Sequence, residues 1–179
     1  MRSMLTMNLR AFSAGYNYSA STNPRVFLNV AKDGSDAGRM VFELYENHAP
    51  NLATNFAALC TGAGHGSASF AGSGLTNVVP GLGVQGGMGD VGATNERLSD
   101  ENLHLRHHKR GILTMTNSGS HSNGSGFQVL FGEAHYLDGY QQVVGELVEG
   151  DSVLNDIEGS AGRYSSSTTT WTVSSSGML

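Results

Sequence analysis

Apolar and polar positions alternate along the chain in short runs, and the first pair of runs reads as a hairpin. Val26-Phe27-Leu28-Asn29-Val30 is dense in β-branched and aromatic residues, which fit a pleated, half-buried surface. Asp33-Gly34 follows as a turn signal. Met40, Phe42 and Leu44 then alternate with Arg39, Val41 and Glu43, the period of a strand with one buried face. The spacing predicts a connecting loop longer than the tightest hairpin turn. Pro50 opens a helix at the position where a missing N–H does no harm, and Leu52, Phe56 and Leu59 form its apolar stripe up to Gly62. A second short helix after Asp151 turns Val153, Leu154 and Ile157 inward and stops at Gly159. Further strands are predicted around Val78-Val79, from Ile112 to Thr116, from Phe127 to Phe131 and from Val143 to Val148. The last is predicted near Thr170 to Val173, entered by a polar Ser/Thr loop over 165–170. Many short strands with two helices suit a mainly β fold: a closed antiparallel barrel whose ends are plugged by the helices.

Composition sharpens this picture. The 179 residues suit one domain, and 25 glycines against 3 prolines agree with short strands and tight turns. A net charge of -5 with only 10 Lys plus Arg leaves no basic stripe for nucleic acid. The single cysteine, Cys60, excludes an internal disulfide and reads as a small buried hydrophobe. No apolar run approaches the roughly 20 residues of a membrane-spanning helix. Residues 1–22 differ from the rest: Arg2 and Arg10 are present, acids are absent, and Leu5, Leu9 and Phe12 sit at helical spacing. That pattern resembles a mitochondrial targeting peptide, and Arg10-Ala11-Phe12-Ser13 resembles a matrix-protease cleavage context. The other reading is a disordered or docking extension, and the alternative location is cytoplasmic. The domain proper is expected over 23–179.

Other signals carry less. His104, His107 and His108 have metal-like spacing, but no carboxylate pair or cysteine completes a site, so no metal or cofactor is expected. Asp100-Glu101 read as solvated charges. The glycines of Gly81-Leu82-Gly83 and Gly86-Gly87-Met88-Gly89 lack a phosphate-loop lysine and suit barrel bends and close backbone approach.

The residue strings are more specific than the pattern. Asn23-Pro24-Arg25-Val26-Phe27, Phe42-Glu43-Leu44, Thr54-Asn55-Phe56 and Leu59-Cys60-Thr61-Gly62 come first. Val79-Pro80-Gly81, Gln85-Gly86-Gly87, Gly111-Ile112-Leu113-Thr114-Met115, Asn117-Ser118-Gly119 and Leu137-Asp138-Gly139 follow in order. From about residue 23 to the C-terminus this resembles the cyclophilin family of peptidyl-prolyl cis-trans isomerases, with a shortened loop between Gly87 and Asp100. The resemblance implies an eight-stranded barrel capped by two helices, with a groove for proline-containing peptides on its outer face.

It also implies which positions carry the chemistry. Rotation about an X–Pro bond must cross a barrier of about 18–20 kcal/mol set by amide resonance. A donor aimed at the prolyl nitrogen stabilises the twisted state more than either planar one. The family's arginine for this task falls on Asn77, which lacks the charge and the reach. Losing a charge-assisted hydrogen bond costs about 1.5–3 kcal/mol, roughly ten- to hundred-fold in rate. The proline pocket changes too. Leu82 stands at an aromatic position, Gly83 at a methionine, Gln128 at an aromatic, Tyr136 at a tryptophan and Gln141 at a histidine. Thr116 and Ser118 replace small apolar residues, whereas Gln85, Asn117 and Leu137 match. Each of these also has a structural reading: Gln85 tying backbone at a strand end, Asn117 fixing a loop, Leu137 filling core. The sequence therefore points to a divergent cyclophilin of absent or weak activity, a structural or protein-binding subunit of a larger mitochondrial assembly docked through residues 1–22. The alternative is an active isomerase assisting protein folding.

Overall fold

A computed structural model describes residues 16–87, 92–162 and 169–179. Its opening hairpin joins β1 (Arg25–Lys32) to β2 (Ser35–Leu44). The turn is tighter than the spacing predicted: Lys32 pairs directly with Ser35, and Asp33 and Gly34 take φ of 49° and 82°. Two central residues at positive φ make a turn whose twist matches the flanking strands, so Asp-Gly alone closes the hairpin.

Six more strands complete the wall: β3 (Gly74–Val79), β4 (Gly83–Gly86), β5 (Ile112–Met115), β6 (Phe127–Leu130), β7 (Val143–Glu149) and β8 (Trp171–Met178). They close antiparallel in the order β1-β2-β7-β5-β6-β4-β3-β8. The mainly β, eight-stranded barrel with two helices is thus as expected. β4 is the strand that apolar patterning missed, because its ends are glycines. A β-carbon on Gly86 would lie 2.6 Å from the Phe127 ring, and one on Gly83 would meet the Val129 carbonyl. β4 can approach β6 only where those side chains are missing. β8 runs further than its apolar residues indicate, since Ser174–Gly177 continue the ladder against β1. The Ser/Thr loop predicted over 165–170 falls largely outside the described residues.

Inward residues of every strand fill the barrel. Val26, Leu28, Met40, Phe42, Leu113, Met115, Phe127, Val129 and Val173 form one buried cluster with both helices. Helix α1 (Pro50–Thr61) contributes Leu52, Phe56, Leu59 and Cys60; helix α2 (Asp151–Gly159) contributes Val153, Leu154 and Ile157. Burial pushes the Cys60 thiol pKa up, in keeping with a small core hydrophobe. Ala49 gives α1 no side-chain cap. Glu101 takes that duty instead, accepting the Asn51 and Leu52 N–H groups at 3.0 and 2.8 Å. The Asp100 side chain is 5% exposed and accepts from Asn123 at 2.8 Å. Neither acid is the solvated charge that the sequence suggested; the unpaired donors of a helix end draw a carboxylate from a distant loop.

Residues 16–23 strap the chain onto this body. The Glu43 side chain, 3% exposed, accepts from Ser19 Oγ at 2.8 Å, from the Ala20 N–H at 3.0 Å and from Asn23 Nδ2 at 3.0 Å. Burial pushes the Glu43 pKa up, but these hydrogen bonds outweigh it and the net shift is downward. The Tyr18 ring sits edge-on to Tyr45, His48 and His108, at 5.6, 5.5 and 5.9 Å. The targeting pattern and Arg10–Ser13 lie outside the described residues. No helix among the described residues is long and apolar enough to cross a membrane.

The close approach of β4 to β6 gives a direct test. Gly86→Ala should lower stability by about 1–3 kcal/mol, as overpacking does, read from urea unfolding midpoints at constant m-value. An unchanged midpoint would mean that Phe127 and Leu75 have slack that the packing does not indicate.

Candidate functional site

Of the residues that sequence singled out, Asn77, Gly83, Gln85 and Gln128 lie on β3, β4 and β6, and Leu82, Thr116, Asn117, Ser118, Tyr136, Leu137 and Gln141 lie in the connections. Side chains alternate across a strand, so Phe127 and Val129 face the core while Gln128 and Leu130 face outward. The register then aligns Gln85, Gln128 and Thr114 as neighbours across β4, β6 and β5. One end of this row is Asn77.

Asn77 sits in a bulge. Between the pairs Thr76–Gln85 and Val79–Gly83, β3 has one residue more than β4. Asn77 takes φ of 51°, a conformation that asparagine tolerates better than most residues. Its Nδ2 donates to Gln85 Oε1 at 2.8 Å. Asn77 and Gln85 are therefore brought together, and one of the two amide N–H groups at position 77 is already engaged. Gln85 ties a side chain rather than the backbone. Arg25, Arg39, Arg106 and Arg110 have partners elsewhere: Glu43, Asn29, Asp138, and Asp151 with Glu158. Arg97 is exposed.

Beyond Gln85 the wall becomes a mixture. Leu82 and Leu137 are half-buried and pack on a second apolar cluster with Leu130, Ile112 and Val143. Gly83 leaves its space to Gln128, whose Nε2 and Cγ would lie 3.0 and 3.2 Å from a β-carbon there. Gln128 is 2% exposed, and its Nε2 has no hydrogen-bond partner. Gln141 Oε1 is likewise buried and unpartnered. Thr116 pairs its N–H with the Gly126 carbonyl, and Ser118 N–H donates to Ser122 Oγ at 3.0 Å. Asn117 Nδ2 donates to the Tyr140 carbonyl at 3.0 Å, which is the loop-fixing role. Tyr136 and Tyr140 stand 65% and 75% exposed on the turn that carries Leu137. Tyr140 was not singled out by sequence, since its exposure depends on that turn.

A second polar group lies behind this face. His107 Nδ1 is 2.9 Å from Asp138 Oδ1, and Nε2 is 3.0 Å from Thr114 Oγ1. Asp138 also accepts the His107 backbone N–H at 2.8 Å. With Asp138 ionised, Nδ1 carries the proton, and the single Thr114 hydroxyl hydrogen is shared between Nε2 and the Gln142 carbonyl at 3.1 Å. The order hydroxyl–imidazole–carboxylate imitates a nucleophile relay, but His107 and Thr114 are fully buried, so no substrate reaches them. The arrangement is structural. Among the described residues no group of His, Cys, Asp and Glu could hold a metal ion. Sequence reasoning could not find this trio, because residue 107 meets residue 138 only through the folded loops.

Burial lowers the His107 pKa, and Asp138 opposes that shift without cancelling it. The unfolded chain therefore takes up a proton near pH 6.5 while the folded chain does not, and stability falls as pH drops below that value. For Asp138, burial acts upward and the His107 hydrogen bonds act downward; the net shift is down, so its contribution is lost only below about pH 3.8. Urea unfolding at pH 7.5 and 5.5 should show the parent losing stability in acid, and His107→Gln should lose less over the same interval. An equal drop in both would remove His107 as the cause.

Residues 27–176 match the family model described as cyclophilin type peptidyl-prolyl cis-trans isomerase/CLD. That span holds all eight strands in whole or in part, both helices and every singled-out position from Asn77 to Gln141. With the closed barrel, the plugging helices and this match together, the chain belongs to the cyclophilin-type peptidyl-prolyl isomerase family.

Proposed function

We propose that this protein is a binding cyclophilin of absent or weak isomerase activity, a structural or protein-binding subunit of a larger mitochondrial assembly. The observation that carries the reading is Asn77, neutral and already donating to Gln85 at 2.8 Å. A twisted X–Pro bond gains its stabilisation from a strong donor at the prolyl nitrogen, and a neutral carboxamide with one of its two N–H groups held by Gln85 is a weaker donor than a guanidinium. The polar floor adds to this. A buried amide without a partner disfavours a proline ring, which brings neither donor nor acceptor to it. Leu82, Leu137, Tyr136 and Tyr140 still give the face apolar and aromatic surface for a protein or peptide.

The N-terminus supports the location. A cut within Arg10–Ser13 leaves Tyr18, Ser19 and Ala20 in place against the barrel, whereas a cut after residue 22 removes two donors from buried Glu43. The leader is thus read as residues 1–15 at most, with 16–22 kept by the domain. The second reading, an active isomerase assisting folding, draws support from the matched Gln85 and Asn117, although each amide already makes one hydrogen bond within the fold.

Two experiments test these readings. In a proline-peptide isomerisation assay, turnover should lie at least about tenfold below that of an ordinary cyclophilin. Asn77→Arg should recover less than tenfold, because Gln128 and Gly83 still spoil the recess and arginine must adopt a positive φ. Turnover near the family's usual level would favour the active isomerase.

Import into isolated mitochondria should require residues 1–15. Deleting them should leave the unfolding midpoint unchanged, whereas deleting 1–22 should cost about 1.5–3 kcal/mol through Glu43. Import that persists without residues 1–15 would refute the mitochondrial reading.

A further inference from the structure

We infer that a depression on the wall of β1, β2 and β8 binds a small dipolar ligand of the amino-acid type, its carboxylate held by Arg39 and its ammonium by Asp36. In the barrel order β1 stands four places from β6, so this wall faces away from the row that holds Gln85 and Gln128. The inference is independent of that groove. Two bulges shape the depression. β2 carries Ala37 as an extra residue between the pairs Val30–Gly38 and Ala31–Asp36, and β8 carries Ser174 between Asn29–Ser175 and Val30–Val173. Both neighbours of β1 are thus interrupted at one level, and a cavity of about 550 Å³ opens there, lined by Asn29, Ala31, Asp36, Arg39 and Ser174 among others. The bulge in β2 also sets where the charges point. Residues 36 and 39 would face opposite ways on a regular strand; the extra residue puts both on the outer face, opposite Ala31 and Asn29. Gly38 between them faces the core, where a β-carbon would meet Val153.

Arg39 is held ready for a carboxylate. Its guanidinium carbon lies 4.3 Å from the centroid of the Phe27 ring, and that ring packs over Gly177, where a β-carbon would come within 2.9 Å of it. Arg39 Nε donates to Asn29 Oδ1 at 2.8 Å, and Asn29 Nδ2 donates to Ser175 Oγ at 2.7 Å. Stack and hydrogen bond together fix the plane of the guanidinium. Asn29 is neutral, so it orients the cation without cancelling its charge. Arg25, Arg106 and Arg110 are each ion-paired to a carboxylate. Arg39 has no such pair among the described residues, and its two terminal nitrogens have no partner there. Asp36 is the complementary half. Its Oδ1 accepts the Gly38 N–H at 3.0 Å, which steadies the carboxylate, and Oδ2 has no partner among the described residues. The other charges of the hairpin are engaged elsewhere, Lys32 over the Trp171 ring and Asp33 with the Thr170 N–H.

Arg39 and Asp36 are exposed and line one cavity. A simple anion there would gain Arg39 but face Asp36, and a simple cation would do the reverse. A ligand bearing both charges satisfies each, which is also what makes the site selective. Their partners on β1 lie two residues apart, about 6.6–7 Å along the strand, a gap that a carboxylate and an ammonium on a short carbon chain can bridge. The cavity volume falls in the range of small-molecule sites, about 300–1,000 Å³.

The test uses the full chain and probes of one carbon skeleton that differ only in their ends: 4-aminobutyrate, butyrate and butylamine. Nuclear magnetic resonance titration at low salt follows the Arg39 Nε–H and the Gly38 N–H, with the Gln128 side-chain amide as a reference on the far wall. 4-Aminobutyrate should bind at least about threefold more tightly than either single-charge probe, moving both near signals and leaving Gln128 in place. Arg39→Met, which keeps an apolar stem on Phe27, should reduce its affinity to that of butylamine. Asp36→Asn, which keeps an acceptor for the Gly38 N–H, should reduce it to that of butyrate; either variant decides the matter if the other fails to fold. Butyrate or butylamine binding as tightly as 4-aminobutyrate, or an affinity unchanged by the variants, would overturn the dipolar assignment. No movement of the Arg39 and Gly38 signals with 4-aminobutyrate would remove the site itself, without touching the reading of the opposite wall.

Discussion

The close approach of β4 to β6 is the constraint on which both the barrel and its outer face depend. β4 is only Gly83-Val84-Gln85-Gly86, and two of its residues lack side chains where backbone or the Phe127 ring would collide with them. Without that contact the order β6-β4-β3-β8 cannot close, and a sheet with open edges replaces a barrel with none. The same contact sets what faces outward. Val84 points to the core, so Gln85 must point away from it, beside Gln128 across the ladder. Core packing and groove chemistry are thus two faces of one four-residue strand.

That coupling makes the outer face one connected set. Gly83, without a side chain, leaves room that Gln128 fills, and Gln128 puts a buried amide in the wall. Asn77 closes onto Gln85. The barrel is indifferent to all of this, because its interior cluster of Phe42, Phe56, Phe70, Phe127 and their neighbours lies on the other side of the wall. A fold can keep its core while its site moves from one chemistry to another.

Much of the remaining polar structure is hidden bracing. Glu101 caps α1 from a loop, and Glu43 pins the strap. Arg110 ties α2 to the wall through Asp151, Glu158 and the Phe131 carbonyl. His107, Thr114 and Asp138 fasten the loops that back the groove. Glu43 and His107 are buried groups that need such partners, and each brace joins segments far apart in the chain. The N-terminal strap is bound by the same logic: Ser19 and Ala20 are held because Glu43 is buried and needs donors.

Local sequence was enough to determine the two helices, the strands with alternating apolar residues, the mainly β class and the ordered strings that mark the family, because period and turn chemistry act over a few residues. It also determined that position 77 carries no charge. It did not reveal β4, whose glycines leave no apolar pattern, or the tight Asp33-Gly34 turn, whose backbone angles depend on the pairing beyond it. Nor could it tell Asp100 and Glu101 from ordinary surface acids, or join His107 to Asp138 and Asn77 to Gln85. Those pairings are set by register and by loops folding back, so only the closed barrel decides which polar atoms find partners and which two glutamine amides are left without them.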